Sequence, residues 1–313
     1  MTFGSATEQQ PRVLVVGSIN MDLVARCSRL PLPGETLFGQ SLCEISGGKG
    51  ANQAVGAARL GADVTLIGRL GNDGFGKTLR QELVANGVNM DRVVETADCN
   101  SGVAIINVEN SGQNCITVIP GANGRLTPDD IHACESAFED ADVLMLQMEV
   151  PVQTVLTAIE IALKNNVPVL LDPAPAPESF PPELLAVDYV CPNETEAALL
   201  TGLSVSTMAE AEAAARMLCS LGVKHAIVTL GERGAVCCDN GGECHRAEPP
   251  AVKVVDTTAA GDAFAAAFAL QVSQQQPIVD ALQFACAAGA IAASRDGAQP
   301  GMPTPADVHR ACR

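Results

Sequence analysis

Six short runs of continuous apolar and β-branched residues limit what this chain can fold into: Val13 to Gly17, Val64 to Gly68, Val143 to Gln147, Val167 to Asp172, Tyr189 to Cys191 and Ala226 to Leu230. None alternates apolar with polar, the pattern of a strand with one wet face, so each reads as a strand buried on both faces. Helical patterns lie between them, and strands that recur only after a helix pair in parallel. The clearest crossover is Thr207-Met-Ala-Glu210, a capping box opening a helix that runs to Leu221 and is closed by Gly222. These features predict an α/β fold with a mostly parallel sheet covered by helices. With 313 residues, 47% of them hydrophobic, the chain can bury such a core in one domain with an appendage, or in two domains.

Two segments break the rhythm. Gly102 to Val108 and Asn114 to Ile119 are strand-like and joined by Glu109-Asn-Ser-Gly-Gln113, which predicts a hairpin with a glycine-containing loop. Together with Leu23 to Ile45 they can form a small separate sheet, a natural lid on an α/β body. The polar residues Met1 to Gln10 read as a flexible leader without the apolar core of a signal peptide.

Chemistry concentrates in a few stretches. Asp256-Thr-Thr-Ala-Ala-Gly-Asp-Ala-Phe264 is a small-residue turn that delivers a carboxylate, Asp262, to the start of a helix. Converging backbone N–H groups and helix polarity favour an anion there, which is one way to build a phosphoryl-transfer site. The simpler reading of Asp262 is a helix N-cap. Gly47-Gly-Lys-Gly-Ala-Asn-Gln-Ala54 opens a helix ended by Gly61, so that a ligand can approach the backbone while Lys49 and Asn52 hydrogen-bond a polyol; a tight turn is the simpler alternative. Ser18-Ile-Asn20-Met-Asp22 follows the first strand, and alternate residues of an extended segment set Asn20 and Asp22 on one side at the strand's C-terminal end. A rival comes from Gly71-Asn-Asp-Gly-Phe-Gly-Lys77-Thr78, which satisfies the P-loop expression, with Val169 to Asp172 resembling its companion acidic strand. Asp73 inside that loop opposes a phosphate, and Phe75, Leu79 and Leu83 share one helix face, as an ordinary first turn requires.

A formal charge of −17 without a basic stripe argues against a nucleic-acid partner. No apolar run approaches the roughly 20 residues that span a bilayer. Twelve cysteines are scattered through apparent strands and helices, including Cys115, Cys191, Cys219 and Cys286, in a chain large enough to do without staples. Cys237, Cys238, Cys244 and His245 cluster without the paired spacing of a zinc site. Reduced thiols in a cytoplasmic setting are expected.

Gly47 to Ala54 and Asp256 to Phe264 resemble the two signatures of the ribokinase-like carbohydrate kinases. The likeness extends from about residue 12 to residue 305, through Pro33-Gly-Glu-Thr36, Gly121-Ala-Asn123, Gln147-Met-Glu149, Asp172-Pro-Ala-Pro175, Pro192-Asn-Glu-Thr-Glu196, Thr229-Leu-Gly-Glu-Arg-Gly234 and Gly297-Ala-Gln-Pro300. Such an ordered series is more specific than any one motif. It implies the ribokinase-like three-layer αβα sandwich as a single domain over residues 12–313, with a discontinuous β lid at roughly 22–45 and 100–120 and a leader at 1–11.

The activity implied is transfer of the γ-phosphoryl group of ATP to the 5-hydroxyl of D-ribose, with Mg²⁺ and a monovalent activator, K⁺. Kinases of 2-deoxyribose, fructose or nucleosides remain alternatives, as does a sugar-binding regulator without catalysis. By position, the resemblance assigns the sugar to Asn20, Met21, Asp22, Gly48, Lys49, Gly50, Asn52 and Glu149, the base to Asp262, and the anion hole to the N–H groups of Ala260, Gly261 and Asp262. It assigns the nucleotide to Asn193, to Thr229, Leu230, Gly231, Glu232, Arg233 and Gly234, to Gly261 and Asp262, and to Cys286 on the adenine side. Glu196 is implied for Mg²⁺ through water. Asp256, Thr258, Ala292, Arg295 and Gly297 are implied for the monovalent cation, with Gly301 where a serine often adds an oxygen. A homodimer joined through the lids completes the implied picture.

Overall fold

A computed structural model describes residues 10–177 and 180–312. Of the expected leader, residues 1–9 lie outside the described ones. The main sheet contains β1 (Arg12–Val16), β4 (Asp63–Gly71), β5 (Val88–Thr96), β8 (Val143–Leu146), β9 (Val169–Leu171), β10 (Tyr189–Val190), β11 (His225–Thr229), β12 (Ala235–Asp239) and β13 (Cys244–Ala247). Their order is β13-β12-β11-β10-β9-β8-β1-β4-β5. Every pair from β11 through β10, β9, β8, β1 and β4 to β5 is parallel. All six apolar runs read from the sequence are strands of this sheet, and the continuous ones occupy its middle because only there are both faces covered.

The pleat divides the core. Val13 and Val15 of β1 face one cluster, and Leu14 and Val16 face the other. On the first side lie α1 (Lys49–Arg59), α2 (Gly74–Ala85), α8 (Ala260–Ser273), α9 (Ile278–Ala293) and α11 (Pro305–Ala311), whose buried residues join that cluster. On the second lie α3 (Pro128–His132), α4 (Glu135–Glu139), α5 (Val152–Lys164), α6 (Glu194–Thr201) and α7 (Met208–Ser220). Helix α7 begins at the expected capping box, with Thr207 as N-cap and Glu210 closing it. Helices α8 and α9 are rich in buried alanine, which lets their axes approach closely: a Cβ on Gly289 would stand 3.1 Å from the Ala260 carbonyl.

The second sheet is the expected lid: β3 (Ser41–Gly47), β2 (Asn20–Cys27), β6 (Gly102–Glu109) and β7 (Asn114–Ile119), in that order. Strands β6 and β7 form the hairpin, and β2 runs antiparallel to β3 but parallel to β6. The sheet begins at Asn20 and reaches Gly47, two residues beyond each expected limit, so it grows directly out of the turn after β1 and into the turn before α1. Its outer face leaves Leu42, Ile105, Ile116, Val118 and Ile119 exposed.

Two features differ from expectation. The antiparallel hairpin β12–β13 was not legible, because its strands are short and hold cysteine, histidine and arginine in place of β-branched runs. Its register sets Cys238 opposite Cys244, with their Cα atoms 4.1 Å apart, and the two form a disulfide, which corrects the expectation that all thiols are reduced. Six residues of separation say nothing about such a pairing until the turn is known. The remaining cysteines are free, most of them buried.

Phe138 of α4 is fully buried in the second cluster. Its replacement by alanine leaves a cavity and is expected to lower stability by about 3–5 kcal/mol in urea denaturation; a loss below ~1 kcal/mol would contradict this packing.

Candidate active site

The site lies beyond the C-terminal ends of β1, β8 and β9, where the lid starts and two helices point their first turns inward. Helix α1 is pressed into the turn after β1. Ala51 N–H donates to the Ser18 carbonyl at 2.9 Å, and a Cβ on Gly50 would stand 2.6 Å from Gly17 C and Ser18 N. Gly48 has φ +87° and a Cβ there would lie 2.7 Å from Asn20 N. Only glycine satisfies both demands. Once docked, α1 presents Lys49, Asn52 and Gln53, at i, i+3 and i+4, from one face.

Helix α8 meets them. Its N-cap is Ala259, at φ +59°, so Asp262 is not the capping residue but sits inside the first turn, buried. Asp262 Oδ2 accepts from Asn52 Nδ2 at 3.0 Å, Oδ1 accepts from Gln53 Nε2 at 3.2 Å, and Lys49 Nζ lies 3.7 Å from Oδ1. The anion hole needs correction at one member: Ala260 N–H already donates to the Thr257 carbonyl at 3.2 Å. Gly261 N–H and Asp262 N–H have no acceptor among the described residues, as expected of a first helical turn. Nothing lies within 4 Å of where a Gly261 Cβ would be, so the chain is open at that residue.

Asp172, just past β9, is the second buried carboxylate. Its Oδ2 accepts from Gln53 Nε2 at 2.9 Å and from Lys49 Nζ at 3.4 Å. Burial pushes its pKa up to about 7 against the opposing pull of Lys49, with Asp262 and Glu196 adding to the rise. For Lys49, burial disfavours the charge, but Asp172, Asp262, Glu149 and Glu196 together outweigh it and hold the ammonium above its ordinary range. Glu149 Oε2 accepts from Ser18 Oγ at 2.5 Å and from Lys49 N–H at 3.1 Å, fixing the start of α1.

On the lid side, Asn20 Oδ1 accepts from Asn123 Nδ2 at 2.7 Å, while its own amide nitrogen donates to no described protein atom. Met21, the residue between, turns its side chain into the core and offers only backbone. Asp22 is buried yet makes no hydrogen bond among the described residues, and its carboxylate rests on Gly47, where a Cβ would fall 2.2 Å from Oδ2. Burial first, then Glu149 and Asp262, raise its pKa to about 7. Asn52 Oδ1 is likewise buried without a partner. An acceptor withdrawn from water without a donor, as Asn52 Oδ1 is among the described residues, is unfavourable, and both groups are suited to a ligand that brings hydroxyls.

The residues implied for a nucleotide lie along the next strand ends. Asn193 caps α6 and Glu196 closes its capping box, accepting from Asn193 N–H at 2.9 Å. Thr229 is bridged to Asn193 and leads into a short 3₁₀ turn, Gly231–Arg233, which contains Glu232 and is capped by Gly234. Leu230 is buried in the core, Arg233 pairs with Glu194, and the Cys286 thiol donates to the Ala247 carbonyl at 3.7 Å, so these three bring no free polar side chain. Asp256 ties two loops together by accepting from Thr258 N–H at 2.9 Å and Gly297 N–H at 3.0 Å. Gly301 faces carbonyls: a Cβ there would lie 3.4 Å from Ala292 O and 3.9 Å from Arg295 O, while the Arg295 guanidinium pairs with Asp307 at 3.0 Å.

Gly71 to Thr78 is a closed turn. Asp73 caps α2, accepting from Gly76 N–H at 2.7 Å and from Ser101 N–H and Oγ at 2.9 and 2.8 Å, and Lys77 is exposed. The carboxylate occupies the place a P-loop gives to phosphate, and Asp172 bonds Lys49 and Gln53 instead.

Gln53, Gln147 and Asp172 were not assigned to the site from sequence. The signal for Gln53 was present, since it stands four residues after Lys49 on a helix otherwise built of small and apolar residues. Asp172 was visible as the end of a strand, in the acidic-strand likeness and in one block of the family series, none of which gave it a role in the site.

The model of the pfkB family carbohydrate kinases matches residues 10–305. A ribokinase from Schizosaccharomyces pombe is 40% identical over 305 residues, covering 95% of this chain and 96% of that protein. A bifunctional ribokinase/ribose-5-phosphate isomerase A from Fructilactobacillus sanfranciscensis is 42% identical over 94% of this chain, which spans only 54% of that longer protein. A deoxyribokinase from Salmonella typhi is 37% identical over 93% of this chain and 95% of that one. Among solved structures, Arabidopsis thaliana ribokinase complexed with ribose and ATP superposes with a TM-score of 0.89, at 34% identity over 97% of this chain and 99% of that one.

The raised Asp22 pKa makes stability depend on pH. Between an unfolded value near 4 and the folded value of about 7, the folded state holds the extra proton; this stability is complete below the lower value and is lost as pH rises through about 7. Thermal melts of the ligand-free protein should therefore show Asp22→Asn with a higher midpoint at pH 8 and a flatter decline from pH 5.5 to pH 8. An unaltered slope would place Asp22 in water.

Proposed function

The chain belongs to the pfkB family of carbohydrate kinases, and from that premise we propose that it transfers the γ-phosphoryl group of ATP to the 5-hydroxyl of D-ribose, giving ribose 5-phosphate and ADP. The observation that carries this reading is the meeting of Asp262, two amides without acceptors among the described residues, and two acceptors without donors among them, the Asp22 carboxylate and the buried Asn52 Oδ1. The amides suit a phosphoryl group. The acceptors suit sugar hydroxyls.

In this reading Asp22, Asn52 and the Asn20 amide grip the sugar, with Gly48 and Gly50 keeping the backbone low enough for it to approach. Asp262 accepts the proton of the attacking hydroxyl. A carboxylate is a weak base toward an alcohol, but phosphoryl transfer has a loose transition state in which positioning outweighs basicity. The N–H groups of Gly261 and Asp262 are aimed at the charge that develops on the transferred group. Lys49 balances the surrounding carboxylates, its ammonium lying between Asp172 and Asp262.

Thr229 to Gly234 and Asn193 form the nucleotide side through backbone and small residues. Among the described residues no group of three or more His, Cys, Asp or Glu side chains is arranged to hold a metal ion. Glu196 would hold a Mg²⁺ through its water shell, and the ion would supply charge neutralisation to the phosphates when bound. The carbonyls of Ala292 and Arg295 near Gly301, together with the Asp256 loop, offer mostly backbone oxygens, which suit a large ion of low charge density such as K⁺. Exposed Ile116, Val118 and Ile119 on β7, the lid edge, suit pairing with a second copy. The deoxyribokinase relative keeps 2-deoxyribose as the rival substrate.

Asp262→Asn should reduce ADP release by at least about 10²–10⁴-fold, the range for a positioned base, while ribose binding by calorimetry survives. Lys77→Ala should be close to wild type; a dead Lys77→Ala beside an active Asp262→Asn would sink the assignment. A coupled assay across ribose, 2-deoxyribose, fructose and adenosine should favour ribose, with K⁺ exceeding Na⁺ as activator, and equal rates in the two salts would remove the cation loop from the proposal.

A further inference from the structure

We propose that Gln53 is a positioning residue for phosphoryl transfer: its side-chain amide bridges the two buried carboxylates, Asp262 and Asp172, and so fixes how Asp262 faces the sugar hydroxyl. The inference rests on Asp262 being the base.

Gln53 is fully buried, and every polar atom of its side chain is engaged by protein. Nε2 donates to Asp172 Oδ2 at 2.9 Å and to Asp262 Oδ1 at 3.2 Å, and Oε1 accepts from Gln147 Nε2 at 2.6 Å. Chemistry alone dictates this orientation. An ionised carboxylate only accepts, so the NH₂ end of Gln53 must face the pair, its oxygen must face away, and Gln147 must donate to it. Flipping the amide would set an oxygen against two carboxylates and one NH₂ against another.

The lock has a cost. Gln147 is fully buried, its Oε1 finds no partner, and it lies where a Gly17 Cβ would come within 2.1 Å. A polar atom left unsatisfied in the interior lowers stability, and two apolar side chains could have filled the same space without that loss. What the polar pair supplies is direction. Asn52 holds one oxygen of Asp262 and Gln53 holds the other, so the carboxylate cannot rotate without losing a donor on each side. The two differ in outlook: Asn52 keeps a buried oxygen without a partner, whereas Gln53 has none to offer a ligand. Gln53 therefore acts on the sugar only through Asp262, and its loss should appear in turnover and not in sugar affinity.

The test uses Gln53→Met and Gln147→Met, which keep volume and remove the donors, with the sugar turned over fastest by the wild type. Gln53→Met should lower kcat about 10–100-fold with KM and calorimetric sugar affinity within about threefold, because small misplacement of a reacting group is felt mainly in the chemical step. Gln147→Met should lower kcat less, about 3–10-fold, and the double variant should be no slower than Gln53→Met, since Gln147 acts through Gln53. The inference is overturned if Gln53→Met retains wild-type kcat, if kcat and affinity fall together, or if the two losses multiply. Should Gln53→Met fail to fold, Gln147→Met decides: a lower kcat at unchanged KM supports the role, and any other result removes it. Asp262→Asn runs alongside. Its activity would bring down the catalytic reading itself, whereas an inactive Asp262→Asn beside a full-speed Gln53→Met sinks this inference alone.

Discussion

A single ammonium among carboxylates organises this molecule. Lys49 lies 3.4 Å from Asp172 and 3.7 Å from Asp262, and Glu149 and Glu196 add to its field. Without it, the ends of β8, β9 and α8 would converge several negative charges in a poorly hydrated space, which is strongly unfavourable. With it, burial still raises the Asp172 pKa to about 7 against the pull of Lys49, and Asp262 and Glu196 add to the rise. The remaining imbalance is met by amides: Gln53 serves two carboxylates and Asn52 serves one.

Lys49 reaches that place because α1 is seated deeply, and glycine permits the seating. Gly48 and Gly50 are the positions at which any side chain would strike the turn after β1. The same turn begins the lid at Asn20, so the helix carrying the ammonium, the strand carrying Asp22 and the first main-sheet strand share one junction. The lid sheet and the start of α1 are thereby joined through the paired residues Asn20 and Gly47. The opposite end of the site is made differently. Around Thr229 to Gly234 the chain makes a short 3₁₀ turn, Gly231–Arg233, followed by Gly234 at positive φ.

Much of this was readable beforehand where a local rule governs it. The continuous runs at Val13, Val64 and Val143 specify buried parallel strands, and the Thr207 capping box specifies the start of α7, because each depends on neighbours in the chain. The lid hairpin followed from its turn. The hairpin β12–β13 did not, since Cys237, Cys238, Cys244 and His245 have weak strand preference and acquire it only by pairing beside β11. For the same reason the Cys238–Cys244 disulfide was invisible: it is a consequence of register.

The candidate site divides along the same line. The sequence by itself determined which backbone shapes are available, a glycine-rich entry to α1 and a small-residue entry to α8, and it marked Asp262, Lys49 and Asn52 as the polar side chains those shapes present. Only the tertiary structure decided that Ala260 has already used its N–H, that Asp73 fills its own loop, and that Gln53 and Gln147 close the network around Asp172. The contacts of Gln53 join residues roughly 90 to 210 positions apart in the chain, and no local pattern encodes them, because hydrogen bonding in an interior is allotted only after the helices and strands have been packed together.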